Sequence, residues 1–145
     1  NLTDTSPIEP CEEPDIGMGR YGKLPYPMKA EEVCQYVKEC FNLPFVMLYQ
    51  AQRDERKVFD KLAVMPGSGK SYQRQVVKNG YELYLTGDFG HHEGVDAMDM
   101  GLTVIDATHY GLEKIFVSSI TSYLTINYPE LTVFGEYTGA PMRVL

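Results

Sequence analysis

The stretch that decides the fold is ELYLTGDFGHHEGVDAMDMGLTVID, which spans residues 82–106. Its two ends, residues 82–86 and 102–106, are short apolar runs of the kind that form buried strands. Between them, residues 94–100 have the apolar spacing of a short helix. Two strands joined through a helix predict a parallel crossover, so the sequence indicates an α/β fold with a layered sheet.

The same alternation of strands and helices extends from this stretch in both directions. Further helices are predicted over residues 29–41 and 71–78, and from residue 112 to near Pro129. Further strands are predicted over residues 45–49, 61–65, 131–134 and 142–145, with a turn over residues 52–57. Residues 1–28 contain five of the nine prolines and are predicted to be an extended segment with one strand over residues 17–21.

Composition restricts the classes of function. The 145 residues are enough for one domain with a core. Acidic residues outnumber basic ones by 20 to 13, giving a net charge of −7, and the basic residues are not grouped, so nucleic acid is not expected as a ligand. No apolar run reaches 18 residues and the first 30 residues do not resemble a signal peptide, so we expect a cytoplasmic protein without a membrane partner.

The cysteines and the first residue give two further expectations. Cys11, Cys34 and Cys40 are odd in number and form no C-x-x-C pair, so neither a disulfide framework nor a structural zinc site is expected. The chain begins with Asn1 rather than methionine, which indicates a processed or truncated piece of a longer protein.

The segment PGSGKS, residues 66–71, resembles the end of a phosphate-binding loop. A complete loop needs glycine five positions before Gly69, and Val64 stands there. A glycine-rich turn without nucleotide chemistry is therefore favoured, although its backbone amides remain able to meet an anion. We predict that this segment does not bind ATP.

Two further motifs follow predicted strands, at the sheet edge where α/β proteins bind ligands. The first is TGDFGHHE, residues 86–93, which contains Asp88, His91 and His92. Adjacent histidines on a loop are more often solvated or hydrogen-bonded than metal ligands. The second is DATHYGLE, residues 106–113, in which His109 and Glu113 are spaced to share one face of a helix.

The His109 and Glu113 pair has two interpretations. One is a divalent-cation site, to which Asp88 and Asp106 at neighbouring strand ends would contribute charge. The other, commoner for an isolated pair, is a surface ion pair. For the first interpretation we predict that the two side chains share one pocket and lie within about 5 Å of each other.

Taken together, these motifs resemble the Nif-three-like family, whose members are named GTP cyclohydrolase I type 2 homologues. The matching segments, in family order, are GMGRYG (17–22), PM (27–28), PGSG (66–69), YLTGD (84–88), IDA (105–107) and HYxxE (109–113). The resemblance runs nearly from end to end and closes at residues 141–144. It implies that residues 29–145 are the C-terminal α/β lobe of a longer two-lobed protein.

The resemblance implies a three-layer α/β sandwich with a mixed, mostly parallel sheet, assembled as a homo-oligomer that forms a toroidal hexamer. It also implies a dinuclear site for two divalent metal ions, such as zinc or iron, only partly ligated by this chain. In the family, a His-His pair and an Asp come from the N-terminal half, and the C-terminal half supplies the ligands matched here by His109 and Glu113. The pair His91-His92 is not the missing one, and Thr108 stands where glycine is usual.

Two functions remain open. The leading hypothesis is a metal-dependent hydrolase-like enzyme, similar to a GTP cyclohydrolase type 2, acting on a polar small-molecule substrate through a water of lowered pKa. In it, His109 and Glu113 are metal ligands, and Asp88 and His92 are candidate catalytic residues that move a proton or orient a ligand. The alternative is a non-catalytic metal-binding or scaffold protein of the same family.

Overall fold

A computed structural model describes residues 2–142 of the chain. Its strands are β1 (Thr3–Ser6), β2 (Glu9–Pro10), β3 (Gly17–Met18), β4 (Arg20–Lys29), β5 (Met47–Tyr49), β6 (Val58–Ser68), β7 (Leu83–Gly87) and β8 (Thr103–Asp106). Its α-helices are α1 (Ala30–Phe41), α2 (Gln73–Lys78), α3 (His91–Asp99), α4 (His109–Glu113) and α5 (Ile115–Asn127). Short 3-10 turns cover Gln52–Asp54 and Lys70–Tyr72.

Six of these strands form one mixed sheet in the order β1-β4-β6-β7-β8-β5. The central strands β6, β7 and β8 are parallel, whereas β4 and β5 run antiparallel to their neighbours. The helices α2 and α3 make the two parallel crossovers that the sequence predicted. The α/β fold class is therefore confirmed, with four of the six strands pointing in one direction.

Helices cover the sheet on both faces because neighbouring strand residues alternate between two cores. Leu83 and Leu85 of β7 pack with α1 and α4 in one buried cluster. Tyr84, between them in sequence, packs with Val76 of α2 and Ala97 of α3 in the other. The result is a three-layer arrangement of helices, sheet and helices.

The segment before α1 is part of the sheet. Strand β4 is ten residues long and pairs with both β1 and β6, while β2 and β3 form a separate two-stranded ribbon. A boundary at residue 28 falls inside strand β4, one residue before its end at Lys29. The first helix then ends at Asn42, whose left-handed backbone forms its C-cap.

Four details of the predicted elements are wrong. Residues 131–134 are not a strand in the described chain, and Phe134 is 89% exposed. Residues 66–68 belong to β6 rather than to a turn. The predicted helix from residue 112 is divided at Lys114 into α4 and α5. Helix α3 starts at His91, three residues early, because Gly90 caps it in an extended conformation. The predicted strand over 142–145 lies mostly outside the described residues.

Helix α5 and the segment after it have little cover within the described chain. The 13 residues of α5 include no charged side chain and none of them is buried. Phe116 is 65% and Ile126 76% exposed. A helix this apolar is normally covered by another surface. None of the helices formed by residues 2–142 combines the length and hydropathy needed to cross a membrane.

The three cysteines lie within the described residues and are all free.

Candidate metal centre

The carboxyl ends of β7 and β8 lie side by side, because these parallel strands pair Thr86 with Asp106. Asp88 directly follows β7, and His109, three residues after the end of β8 at Asp106, begins α4. The sheet thus places the two sequence motifs at one edge, where α/β proteins bind ligands.

Helix α4 begins on an unusual residue. Thr108 has φ 62° and ψ 154°, a region that glycine adopts far more readily than threonine. Its Oγ1 accepts a hydrogen bond from the N–H of Gly111 at 3.1 Å, which caps the helix. The cap partly offsets the backbone strain. The structure therefore explains in conformational terms why glycine is usual at this position in the motif.

His109 lies between two carboxylates. Its Nδ1 is 2.8 Å from Oδ2 of Asp88, and its Nε2 is 3.2 Å from Oε2 of Glu113. All three side chains are about half exposed, at 46 to 50%. The expectation that His109 and Glu113 lie within about 5 Å of each other in one pocket is met.

The two carboxylates raise the pKa of His109. The hydrogen bond to Asp88 is the main cause, and the charge of Glu113 adds to it. When the ring is neutral, the contact with Asp88 favours the tautomer that carries its proton on Nδ1. That tautomer leaves the lone pair of Nε2 on the side of Glu113, where a cation held by both groups would take the place of a proton.

Asp106 supports this cluster instead of joining it. It is 1% exposed, and its two carboxylate oxygens accept hydrogen bonds from the N–H groups of Phe89 and Thr108, each at 2.8 Å. Burial raises its pKa. The sequence suggests that Asp106 contributes charge beside a cation; in the structure both of its carboxylate oxygens accept backbone hydrogen bonds that tie the Asp88 loop to the start of α4.

Two glycines make room for the cluster. A Cβ on Gly67, which has φ +71°, would lie 2.8 Å from Oε1 of Glu113 and 3.5 Å from Nε2 of His109. A Cβ on Gly87 would lie 2.5 Å from the backbone nitrogen of His109. Both close approaches require a residue without a side chain, so PGSG contributes space beside Glu113.

A buried hydrogen-bond network holds the PGSG segment in place, and sequence reasoning missed it. The hydroxyl of Tyr84 donates to the carbonyl of Gly69 at 2.8 Å, and Thr86 Oγ1 accepts from the N–H of Gly69 at 2.9 Å. Both side chains are fully buried. In the sequence they look like ordinary residues of a buried strand, so only the pairing of β6 with β7 reveals their role.

The structure places His91 and His92 at the start of α3. His91 and His92 are the first residues of α3, both exposed, with ring centroids 5.4 Å apart in an edge-on contact. His92 is absent from the lining of the cavity that contains Asp88, His109 and Glu113. The sequence placed these histidines on a loop, whereas they belong to a helix.

The cluster lies in an open cavity of about 540 Å³. Lys114, Val117 and residues 140–142 complete its walls. The cavity admits a small molecule to the His109 and Glu113 pair.

The residues present fit part of a divalent-cation site. Two ligands held by one tetrahedral cation at about 2.1 Å are about 3.4 Å apart, close to the 3.2 Å between His109 Nε2 and Glu113 Oε2. The carboxylate of Asp88 on Nδ1 is the partner that metal-binding histidines ordinarily have. Within residues 2–142, no group of three or more potential ligands is arranged around one point. This part of the chain therefore offers two ligands and one orienting carboxylate.

These features define an α/β protein with a carboxylate–imidazole–carboxylate cluster at the carboxyl edge of its sheet. The model of the Duf34/NIF3 family (NGG1p interacting factor 3) matches residues 1–137. The chain belongs to the DUF34/NIF3 family, and the resemblance found in the sequence motifs is confirmed.

Two relatives of this chain carry the same name. The GTP cyclohydrolase 1 type 2 homolog of Streptococcus pneumoniae serotype 4 is 34% identical over 113 residues, covering 77% of this chain and 42% of the relative. The homolog of the same name from Bacillus subtilis strain 168 is 35% identical over 124 residues, covering 84% and 31%. The chain thus spans less than half the length of either relative.

A solved structure has the same fold. The crystal structure of the Bacillus cereus protein related to NIF3 superposes with a TM-score of 0.79 at 24% identity, over 94% of this chain and 38% of that one. At this identity the likeness establishes the fold alone.

Proposed function

We propose that this chain supplies His109 and Glu113 as ligands to a divalent-metal site and that the intact protein is a metal-dependent hydrolase-like enzyme. The observation that carries the proposal is the geometry of His109, with Nε2 3.2 Å from Glu113 and Nδ1 2.8 Å from Asp88. A simple surface ion pair needs only one of these contacts. The contact with Asp88 orients the ring, so that Nε2, once unprotonated, directs its lone pair toward Glu113.

Each residue of the cluster then has a defined task. His109 binds as a neutral imidazole through Nε2 while its Nδ1–H donates to Asp88. Glu113 offers carboxylate oxygens to the same point, and Gly67 leaves space beside them. A bound divalent cation supplies Lewis acidity and lowers the pKa of a water molecule. Asp88 acts as a positioning residue, because the contact with His109 occupies it.

Two ligands are too few for a tight site, since zinc normally takes three or four from protein. We infer that the remainder of the intact protein completes a dinuclear site for zinc, iron or a similar metal. The curated relatives are more than twice the length of the matched segments, which is compatible with this inference. Their names suggest hydrolysis of a nucleotide-like, polar small molecule. We expect the protein to act in the cytoplasm, where free thiols persist.

The proposal includes assembly into a homo-oligomer, specifically a toroidal hexamer. Support comes from α5, which has no charged residue and exposes Phe116 and Ile126. Burial of each such side chain contributes about 1.5–3 kcal/mol to association.

A second function has one observation in its favour. Asp88, the nearest candidate base, is occupied by His109, and His92 does not line the cavity. A site with ligands but no free base suits a non-catalytic metal-binding or scaffold protein of the same family.

Turnover of GTP by the intact protein separates the two functions. We would measure formate release and bound metal by elemental analysis, with zinc or with a chelator, for the natural sequence and Glu113→Gln. Metal-dependent turnover that Glu113→Gln abolishes supports the enzyme. Stoichiometric metal without turnover supports the alternative. Metal content unaffected by Glu113→Gln contradicts the proposed ligands.

A further inference from the structure

A second cavity, of about 250 Å³, opens beside the cavity of the metal centre. Its floor and walls come from the segment between α1 and β5 and from the start of α4. Leu43, Pro44 and Phe45 form one side, and Ala107 and Gly111 form the other. The two cavities share lining residues, namely Thr108, Tyr110, Lys114, Ala140 and Met142. We call this smaller space the ring cavity.

The walls of the ring cavity are mainly apolar. Ala107 and Gly111 are buried, and Leu43 and Phe45 are half-buried and present hydrocarbon surface. An apolar cavity of about 150 Å³ is known to bind benzene, so about 250 Å³ accommodates one or two fused rings. An aliphatic chain of the same volume would lose more conformational freedom on binding. The volume and the apolar lining favour a ring.

Lys114 supplies a positive charge at the boundary between the two cavities. Among residues 2–142, Lys114 is the basic residue that lines both cavities. Its Nζ donates one hydrogen bond to the carbonyl of Asn42 at 2.9 Å, which leaves two N–H groups of the ammonium for a ligand. Asp88 and Glu113 give the metal centre the opposite sign. An anionic group is therefore expected near Lys114 and away from the two carboxylates.

We propose that the ring cavity binds a compact ring-bearing anion, with the ring between Leu43 and Ala107 and the anionic group on Lys114. A ligand bound in this way reaches the metal centre with its remaining substituents, because the two cavities are continuous at Thr108 and Tyr110. Identification of this ligand as the substrate rests on the proposed function. Binding itself does not, since neither Leu43 nor Lys114 is a proposed metal ligand.

The probe for this site is 2-naphthoate, which combines two fused rings with one carboxylate. Two matched probes separate its parts: 2-naphthylmethanol has the rings without the charge, and acetate has the charge without the rings. Binding to the intact protein is measured by isothermal titration calorimetry, once with its metal in place and once after a chelator. We expect 2-naphthoate to bind at least tenfold more tightly than either matched probe, in both series.

Variants of Lys114 test the anionic group. Lys114→Gln retains a donor for the carbonyl of Asn42 but removes the charge, and it is expected to weaken 2-naphthoate about tenfold, the loss typical of one charge-assisted hydrogen bond. Lys114→Arg should restore most of the affinity. The control Lys78→Met removes an exposed lysine at the end of α2 and should leave the affinity unchanged. Leu43→Ala should weaken 2-naphthoate and 2-naphthylmethanol equally, because it removes ring contact alone.

Any of three results would overturn the proposal. The first is that 2-naphthoate shows no saturable binding, and the second is that 2-naphthoate and 2-naphthylmethanol bind with equal affinity. The third is that Lys114→Gln and Lys78→Met lose equal affinity for 2-naphthoate. Failure of the metal proposal gives a different result: 2-naphthoate binds normally in both series while elemental analysis finds no metal.

Discussion

The consecutive helices α4 and α5 differ in how the rest of the chain holds them. Helix α4 has five residues, yet Thr108 caps it and its Gly111 and Leu112 are buried against the sheet. Helix α5 has 13 residues, no charged side chain and no buried residue within the described chain. A helix of five residues is not stable alone, whereas α5 approaches the length at which an isolated helix becomes marginal.

The difference shows which part of the site this chain completes. Contacts within this chain hold α4 in place, so residues of this chain determine the geometry of His109 and Glu113. The apolar faces of α5 require another surface, which the proposed assembly provides. Measurements on the two helices should therefore separate folding of the lobe from association.

The largest effect is expected on association through α5. Replacing Phe116 and Ile126 together by Asp removes about 2 kcal/mol of apolar burial per side chain and adds two charges at the proposed contact. We expect the intact protein to dissociate into smaller species in sedimentation velocity experiments. The control Val58→Asp changes an exposed apolar residue on β6 and should leave the mass unchanged. An unchanged mass for the double variant would show that α5 is not at an interface.

A substitution in the buried face of α4 is expected to lower the free energy of unfolding. Leu112 is 2% exposed, so Leu112→Ala should lower the free energy of unfolding by about 3 kcal/mol through lost burial and a cavity. The control Ser119→Ala lies on the exposed surface of α5 and should change it by less than about 0.5 kcal/mol. Urea denaturation measures both values. Equal effects of the two substitutions would contradict the contrast between the helices.

Asp88→Asn tests the orientation of His109. Loss of such a partner typically lowers metal affinity about 10- to 100-fold, which zinc competition titrations measure. The control Asp96→Asn, on the exposed surface of α3, should have no effect.

The pH dependence of this variant has a defined sign. Metal binding requires an unprotonated Nε2, and Asp88 is the main cause of the raised pKa of His109. In the natural sequence, affinity should fall as the pH decreases through this raised pKa. In Asp88→Asn the fall should begin at a lower pH, so the difference between the two proteins should be smaller at pH 6 than at pH 8. A constant difference would show that Asp88 does not act on the protonation of His109.

The smallest expected effect concerns the start of α4. Thr108→Gly relieves a backbone conformation that costs about 1–3 kcal/mol in a non-glycine residue and loses a cap worth only a few tenths against glycine. It should raise the free energy of unfolding by about 1 kcal/mol. Thr108→Ala keeps the strain and loses the cap, so it should lower that free energy by about 1 kcal/mol. Thermal denaturation measures both variants. If Thr108→Gly and Thr108→Ala are destabilised equally, the strain interpretation is contradicted.

The sequence predicted the parallel core and the pairing of His109 with Glu113 because both depend on short-range spacing. Short apolar runs mark β7 and β8, and a four-residue interval places two side chains on one helical face. The strain at Thr108 and the close approach of Gly67 to Glu113 depend on contacts between distant segments. No local pattern encodes those contacts.

The dependence on contacts between distant segments also explains the predictions that were wrong. Residues 131–134 have strand-like composition, but a strand also needs a partner, and in the described chain this segment is not paired with the sheet. Asp106 and Asp88 look equivalent as acidic residues at strand ends. Only the folded structure shows that two backbone N–H groups occupy the buried Asp106, while Asp88 reaches His109.

Thermal denaturation of the intact protein with and without zinc tests the central claim, that His109 and Glu113 are metal ligands. Zinc at 100 times its dissociation constant adds about 2.7 kcal/mol to the stability of a folded protein that binds one ion. We predict a clear rise in Tm for the natural sequence, and no rise for His109→Ala. The 145-residue chain alone, with only two ligands, should gain little. An equal rise in Tm for the natural sequence and His109→Ala would contradict the assignment of this cluster as a metal centre.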